Sequence, residues 1–181
     1  ATAGTTVRGA IDPLVDVGKF CASEGLWMHV DGAIGGIFAL SHKTASLVNG
    51  ISFANSITLN PQKLLGITKT SSLLLVANRS DLISTFATGL PYIEPAWGDD
   101  AHGGEMGLQG TRPAEVLKLW LGLRQLGQDG VGRLLEESID RCRYFEELLD
   151  LSRLSVKSGP LHLISCTPKH ANKSESDRWS K

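Results

Sequence analysis

The chain has 181 residues, enough for one ordinary domain with a hydrophobic core. Apolar residues make up 41% and charged residues 20%, a globular composition rather than a disordered one. A net charge of −1 with scattered basic residues gives no footprint for nucleic acid or an acidic membrane surface, and no apolar run is long enough to span a bilayer.

Cys21, Cys142 and Cys166 are odd in number and fit neither a CxxC motif nor a zinc spacing. They read as small buried hydrophobes, and as reduced thiols of a cytoplasmic protein. The chain opens on Ala1-Thr2-Ala3-Gly4-Thr5-Thr6 without an initiator Met or a charged leader, and closes on a polar stretch from Lys169 to Lys181. Both ends read as cuts, so the expectation is an internal fragment of a longer chain.

Asp12-Pro13 predicts a helix start, a capping side chain followed by Pro at the first helical position, and Gly25 predicts its stop. Leu26 to Val30 reads as a short buried strand ending at Asp31, followed by the glycine-rich turn 32–36. Ser56 to Leu59 reads as a second strand, ending at Asn60-Pro61, and Ser72 to Val76 as a third, closing at Asn78. His29 lies within the first of these and reads as a packed core histidine. Strand and helix in alternation predict an α/β sheet, largely parallel and covered on both faces.

The stretch from Phe86 to Pro113 is rich in Gly and Pro and has little periodicity, and a loop of this length inside a compact domain is usually functional. Asp99, Asp100, His102 and Glu105 within it match no standard metal motif, so no metal is expected. A helix over about Ala114 to Leu126, apolar nearly all round, is expected to be buried. Asp129 is placed to cap the next helix, whose apolar residues from Val131 to Leu149 follow helical spacing. Leu151 onward reads as a loop and then a strand, Leu161 to Ser165, opening a second, smaller domain over 151–181 after a first over 1–150.

In open α/β sheets ligands gather at the carboxyl ends of strands. Asp31 ends one strand candidate beside small residues that let a ligand approach. Lys63 follows Asn60-Pro61-Gln62 at the end of the next, and Pro61 disfavours α geometry at Asn60, so the chain turns there. An acid and a lysine at neighbouring strand ends suit pyridoxal-phosphate (PLP) chemistry. The amine forms a Schiff base with the cofactor aldehyde, and the carboxylate keeps the pyridine nitrogen protonated so that the ring draws electrons. An Asp and a Lys in polar loops are also ordinary surface residues, and spacing alone leaves both readings open.

The motifs decide between them. Ala3-Gly4-Thr5-Thr6 with Ile11-Asp12-Pro13, then His29-Val30-Asp31-Gly32-Ala33, then Asn60-Pro61-Gln62-Lys63, and finally Gly110-Thr111-Arg112 before Leu117-Lys118-Leu119-Trp120 stand in an order and spacing that resemble the group II PLP-dependent amino-acid decarboxylases. That family includes glutamate, aromatic-amino-acid and 2,4-diaminobutyrate decarboxylases, and the resemblance covers nearly the whole chain. It implies the large domain of the PLP-dependent transferase-like fold (aspartate aminotransferase fold type I), truncated here, with a mainly parallel sheet and flanking helices.

The resemblance also implies roles. Lys63 would carry the cofactor, Asp31 would pair with the pyridine nitrogen, and Ala33 would pack against the ring. Thr6 stands where the family has a cofactor-contacting threonine, and Asn60 would help hold the phosphate end. Gln62 stands where many members have His; it can donate a hydrogen bond but cannot titrate near neutrality. Leu90-Pro91-Tyr92 falls where the family has a loop tyrosine that returns a proton to carbon after CO2 leaves, whereas aldehyde-forming relatives tend to have Phe. The implied function is decarboxylation of an L-amino acid to its amine by a homodimer. An aldehyde-forming deaminase, a carbon–carbon lyase or an inactive fragment are the alternatives.

Overall fold

The computed structural model describes residues 1–68, 72–90, 103–110, 113–170 and 172–179. Helix α1 spans Leu14–Glu24 and ends where expected, with Gly25 in the left-handed conformation at φ 63° and its N–H returned to the Cys21 carbonyl. Its start differs from expectation. Asp12 makes no helix cap; its carboxylate instead accepts the Thr2 N–H at 2.7 Å, latching the first residues of the chain onto the start of α1.

Strand β1 is His29–Asp31, three residues shorter at its start than the apolar run, and β2 is Ser56–Leu59. The two are parallel, with His29 opposite Ser56 and Asp31 opposite Thr58. Three short 3-10 turns, Gly36–Leu40, Ala45–Val48 and Ile51–Phe53, fill the crossover between them. A one-turn helix α2, Pro61–Leu64, follows β2, and β3 is Leu73–Val76. β3 runs antiparallel to β2, so the sheet, in the order β1-β2-β3, is mixed rather than mainly parallel. Among the described residues of the connection there is one turn of helix, α2, and no crossover helix of the kind that usually joins parallel strands.

Helix α3, Arg79–Phe86, fills the stretch between the third strand and the long loop, to which the sequence reading gave no element. Helix α4 spans Val116–Glu147 and is broken at Gly127, which holds φ 64° and ψ 176°. The break, two residues before the expected cap at Asp129, falls at the residue that adopts such angles without a Cβ clash. Strands β4, Leu154–Ser158, and β5, Ile164–Pro168, form an antiparallel hairpin of their own, followed by α5, Lys173–Trp179. β4 occupies residues expected to be loop, and β5 begins three residues later than expected.

One core joins these pieces. Val30, Phe38, Leu14, Leu135 and Leu161 are among its fully buried members, drawn from β1, the first 3-10 turn, α1, α4 and the segment leading into β5. Burying a side chain such as Phe38 contributes about 1.5–3 kcal/mol. Leu161 and Leu163 belong to this core although the hairpin around them is a separate sheet. Across the core boundary, Lys43 Nζ lies 2.7 Å from Glu136 Oε2 and the Ser41 hydroxyl also reaches Glu136, tying the crossover to α4.

Three burial expectations fail. In the first half of α4 only Leu119 is buried, and Leu117, Trp120 and Leu121 are exposed, because the described residues cover only one stripe of it. In the sheet, Val30 and Leu59 face the core while Trp27, His29, Asp31 and Leu74 are exposed, so one face is covered and the other open. The cysteines are all unpaired and half-buried rather than buried. No helix among the described residues is long and apolar enough to cross a membrane.

His162 carries a pH prediction. Its ring packs against Phe38 with centroids 5.6 Å apart, and its buried Nδ1 has no hydrogen-bond partner among the described residues. Burial pushes its imidazole below the ordinary histidine range. The unfolded chain therefore takes up a proton at a higher pH than the folded one, so stability falls as pH drops through the ordinary histidine range. Glu136, held low by Lys43, acts only further down, in the carboxylate range. His162→Phe is expected to flatten the loss between neutral pH and about pH 5.5, read as urea midpoint against pH. An unchanged loss in the variant would refute the assignment.

Candidate active site

Asp31 and Lys63 meet at one end of the sheet. Because β1 and β2 are parallel neighbours, both strands deliver their carboxyl ends to the same edge. Asp31 is the last residue of β1, and its Oδ1 accepts the Ala33 N–H at 3.1 Å. That two-residue turn fixes one carboxylate oxygen and leaves the other without a partner among the described residues. The backbone of Ala1 to Ala3 pairs alongside β1, with the Asp31 N–H donating to the Ala1 carbonyl and the Ala3 N–H donating to the Asp31 carbonyl, each at 2.8 Å. The Thr5–Gly9 turn, which holds an exposed Thr6, follows this segment.

At the end of β2, Asn60 breaks to φ −120° and Pro61 opens α2. The Asn60 carbonyl accepts the Lys63 N–H at 3.0 Å, and its side-chain oxygen accepts the Ser72 hydroxyl at 3.3 Å, joining the end of β2 to the start of β3. The Lys63 side chain is exposed, and its amine has no hydrogen bond or ion pair among the described residues. Lys43, Lys118 and Lys169 differ: their amines are engaged by Glu136, Glu115 and the Leu151 carbonyl. Beside Lys63, the Gln62 Oε1 is buried without a partner among the described residues. An incomplete hydrogen-bond set next to an uncommitted amine fits a site that receives a polar group, and the carboxamide can turn its NH2 toward an anion.

Of the residues picked from sequence, Asp31, Ala33, Asn60, Gln62 and Lys63 thus share one edge, and Thr6 sits in a turn following the segment paired with β1. Tyr92, and with it Asp99, Asp100 and His102, lies outside the described residues. Glu105 is already used, its carboxylate accepting both the Thr88 N–H and the Thr88 hydroxyl.

His29 is not the core residue that its place in an apolar run suggested. It is exposed on the open face of the sheet, with Nδ1 2.8 Å from the Ser56 hydroxyl and Nε2 3.3 Å from the Thr58 hydroxyl. The Trp27 indole N–H donates to the same Ser56 oxygen at 2.9 Å. The period-two spacing of Trp27, His29 and Asp31, and of Ser56 and Thr58, was the signal for a shared polar face.

Residues 1–156 match the family model for the pyridoxal-dependent decarboxylase conserved domain. The chain belongs to that family. It is 34% identical over 163 residues to an L-2,4-diaminobutyrate decarboxylase of Rhizobium meliloti (strain 1021), covering 88% of this chain and 32% of the relative. It is 36% identical over 151 residues to the human cysteine sulfinic acid decarboxylase, covering 81% and 31%. A mouse CSAD crystal structure superposes on 99% of this chain and 40% of that one, with a TM-score of 0.84 and 31% identity. A rice (Oryza sativa) TDC structure with PLP and tryptamine, at 23% identity, shares the fold with a TM-score of 0.87 over 98% of this chain and 39% of that one. The chain spans about a third of the length of these curated relatives. As a member of the pyridoxal-dependent decarboxylase family, it carries the part of the α/β large domain on which Asp31 and Lys63 converge.

Proposed function

We propose that the full-length protein decarboxylates an L-amino acid to its amine and CO2, with PLP held on Lys63. The observation that carries this reading is the uncommitted Lys63 amine at the strand end adjoining that of Asp31, within a chain of this family. The cofactor, when bound, supplies an electron sink for the bond to the departing carboxylate. Lys63 would supply the amine that holds the cofactor by its aldehyde. Asp31, oriented by the Ala33 N–H, holds a proton at the ring nitrogen. Ala33 leaves room for the ring, and Asn60, Gln62 and Thr6 bind its polar groups. Gln62 does so as a hydrogen-bond donor that carries no titrating proton. Tyr92 returns a proton to the carbon that has lost CO2.

The same proposal includes a cytoplasmic homodimer and a second, smaller domain opening near residue 151. Relatives named for diaminobutyrate and cysteine sulfinic acid set the substrate panel, with aromatic amino acids added. The test is product mass from full-length protein with each amino acid: amine plus CO2 is expected, and an aldehyde as main product would overturn the reading. Tyr92→Phe is expected to move product from amine toward aldehyde. Unchanged amine formation at the normal rate would remove Tyr92 from the mechanism.

A further inference from the structure

The hydrogen bonds around His29 have a direction. The Trp27 indole is a donor only, so the Ser56 oxygen accepts at 2.9 Å. Ser56 is buried, and its hydroxyl hydrogen has one acceptor among its described partners, His29 Nδ1 at 2.8 Å. A buried hydroxyl left without an acceptor is costly, so Nδ1 is the bare nitrogen and the ring proton sits on Nε2. Nε2–H then donates to the Thr58 hydroxyl at 3.3 Å, the longer link of the chain. Thr58 accepts, which leaves its own hydroxyl hydrogen to donate onward. Opposite Thr58 in the parallel register stands Asp31, about 5 Å across the ladder and on the same face. One oxygen of Asp31 is filled by the Ala33 N–H, and the other is open.

We infer that Trp27, Ser56, His29 and Thr58 form a directed hydrogen-bond chain across the open face of the sheet that leaves the Thr58 hydroxyl as an unspent donor beside the second oxygen of Asp31, with no bond between the two in this structure. His29 and Thr58 would then be positioning residues: once the ring nitrogen draws on Asp31, the Thr58 hydroxyl is the donor within reach that would steady the carboxylate. The alternative, a clamp that merely joins β1 to β2, has the same tautomer but no consequence at Asp31, so the Thr58 variants decide between them. The part that concerns Asp31 rests on the reading of Asp31 and Lys63 as the cofactor site; the direction of the chain does not.

The test uses the full-length protein. In cofactor-free protein, ¹⁵N NMR of the imidazole in mildly alkaline buffer is expected to show His29 protonated on Nε2. Trp27→Phe, which keeps an aromatic ring but removes the N–H, is expected to raise the Nδ1–H form, because the Ser56 oxygen can then accept from the ring. An Nδ1–H tautomer in the unmodified protein, or no response to Trp27→Phe, would overturn the direction. Thr58→Val is expected to weaken PLP affinity, read by fluorescence quenching, about tenfold, the scale of one hydrogen bond to a charged group. Thr58→Ser is expected to retain it. Equal affinity in Thr58→Val would overturn the role at Asp31. If Lys63→Ala showed that PLP attaches elsewhere, the cofactor-site reading would fail by itself, and the tautomer result would still decide the chain.

Discussion

Lys63→Ala in the full-length protein is expected to abolish the visible absorbance of lysine-bound PLP and, with it, decarboxylation. The physical reason is that attachment needs an amine that is free to attack and correctly placed. An ion-paired ammonium is poor on both counts, and the amines of Lys43, Lys118 and Lys169 are committed to other groups. Lys63 stands alone at the carboxyl end of β2, on a one-turn helix whose start is set by Pro61. Lys63→Arg separates charge from chemistry: the guanidinium keeps the positive charge but is not an attaching amine. Both variants are expected to lose the band. Borohydride reduction of the unmodified protein followed by peptide mapping is expected to find the cofactor mass on the peptide containing Lys63. A persistent band in Lys63→Ala, or label on another lysine, would show that the assignment is wrong.

What the sequence disclosed follows from the range of the forces involved. β2 was legible to the residue because an apolar run ended at Asn60-Pro61, a local stop that needs no partner. Gly25 was legible as a helix end because its left-handed φ is a backbone property of one residue. The direction of β3 was not, since it is set by its pairing with β2 rather than by its own residues. Nor was β4, whose five residues become a strand through their pairing with β5. The edge holding Asp31 and Lys63 was read from motif spacing, whereas the polar chain from Trp27 to Thr58 was missed. His29 was taken with its apolar neighbours, although alternation puts it on the other face from Val30. The apolar pattern of α4 shows which residues seek burial, and it does not say whether a chain spanning a third of its relatives' length holds what covers them.

Gly35→Ala tests whether the close packing behind Asp31 holds the site in place. Gly35 has φ −92° and ψ −19°, angles that any residue adopts, so the variant carries no backbone penalty. The obstacle is space. A Cβ there would stand 2.4 Å from the Ala3 carbonyl oxygen and 2.8 Å from Leu161 Cδ1. Leu161 can rotate, but the Ala3 oxygen cannot withdraw cheaply: it accepts the Gly35 N–H at 2.8 Å, and the Ala3 N–H is bonded to the Asp31 carbonyl. Relief must therefore come by pushing the 1–4 segment away from β1 or the 32–36 turn away from the core. Overpacking of this kind costs about 1–3 kcal/mol, and the upper part of that range is expected here because backbone is what must move. Gly103→Ala is the control, since its Cβ would meet nothing within 4 Å among the described residues and its φ is not positive. That change is expected to alter stability by less than about 1 kcal/mol. Because the displaced segments flank Asp31, Gly35→Ala is also expected to weaken PLP binding beyond its effect on the urea midpoint. Loss of stability with undiminished PLP affinity would mean that the orientation of Asp31 does not depend on the segment packed behind it.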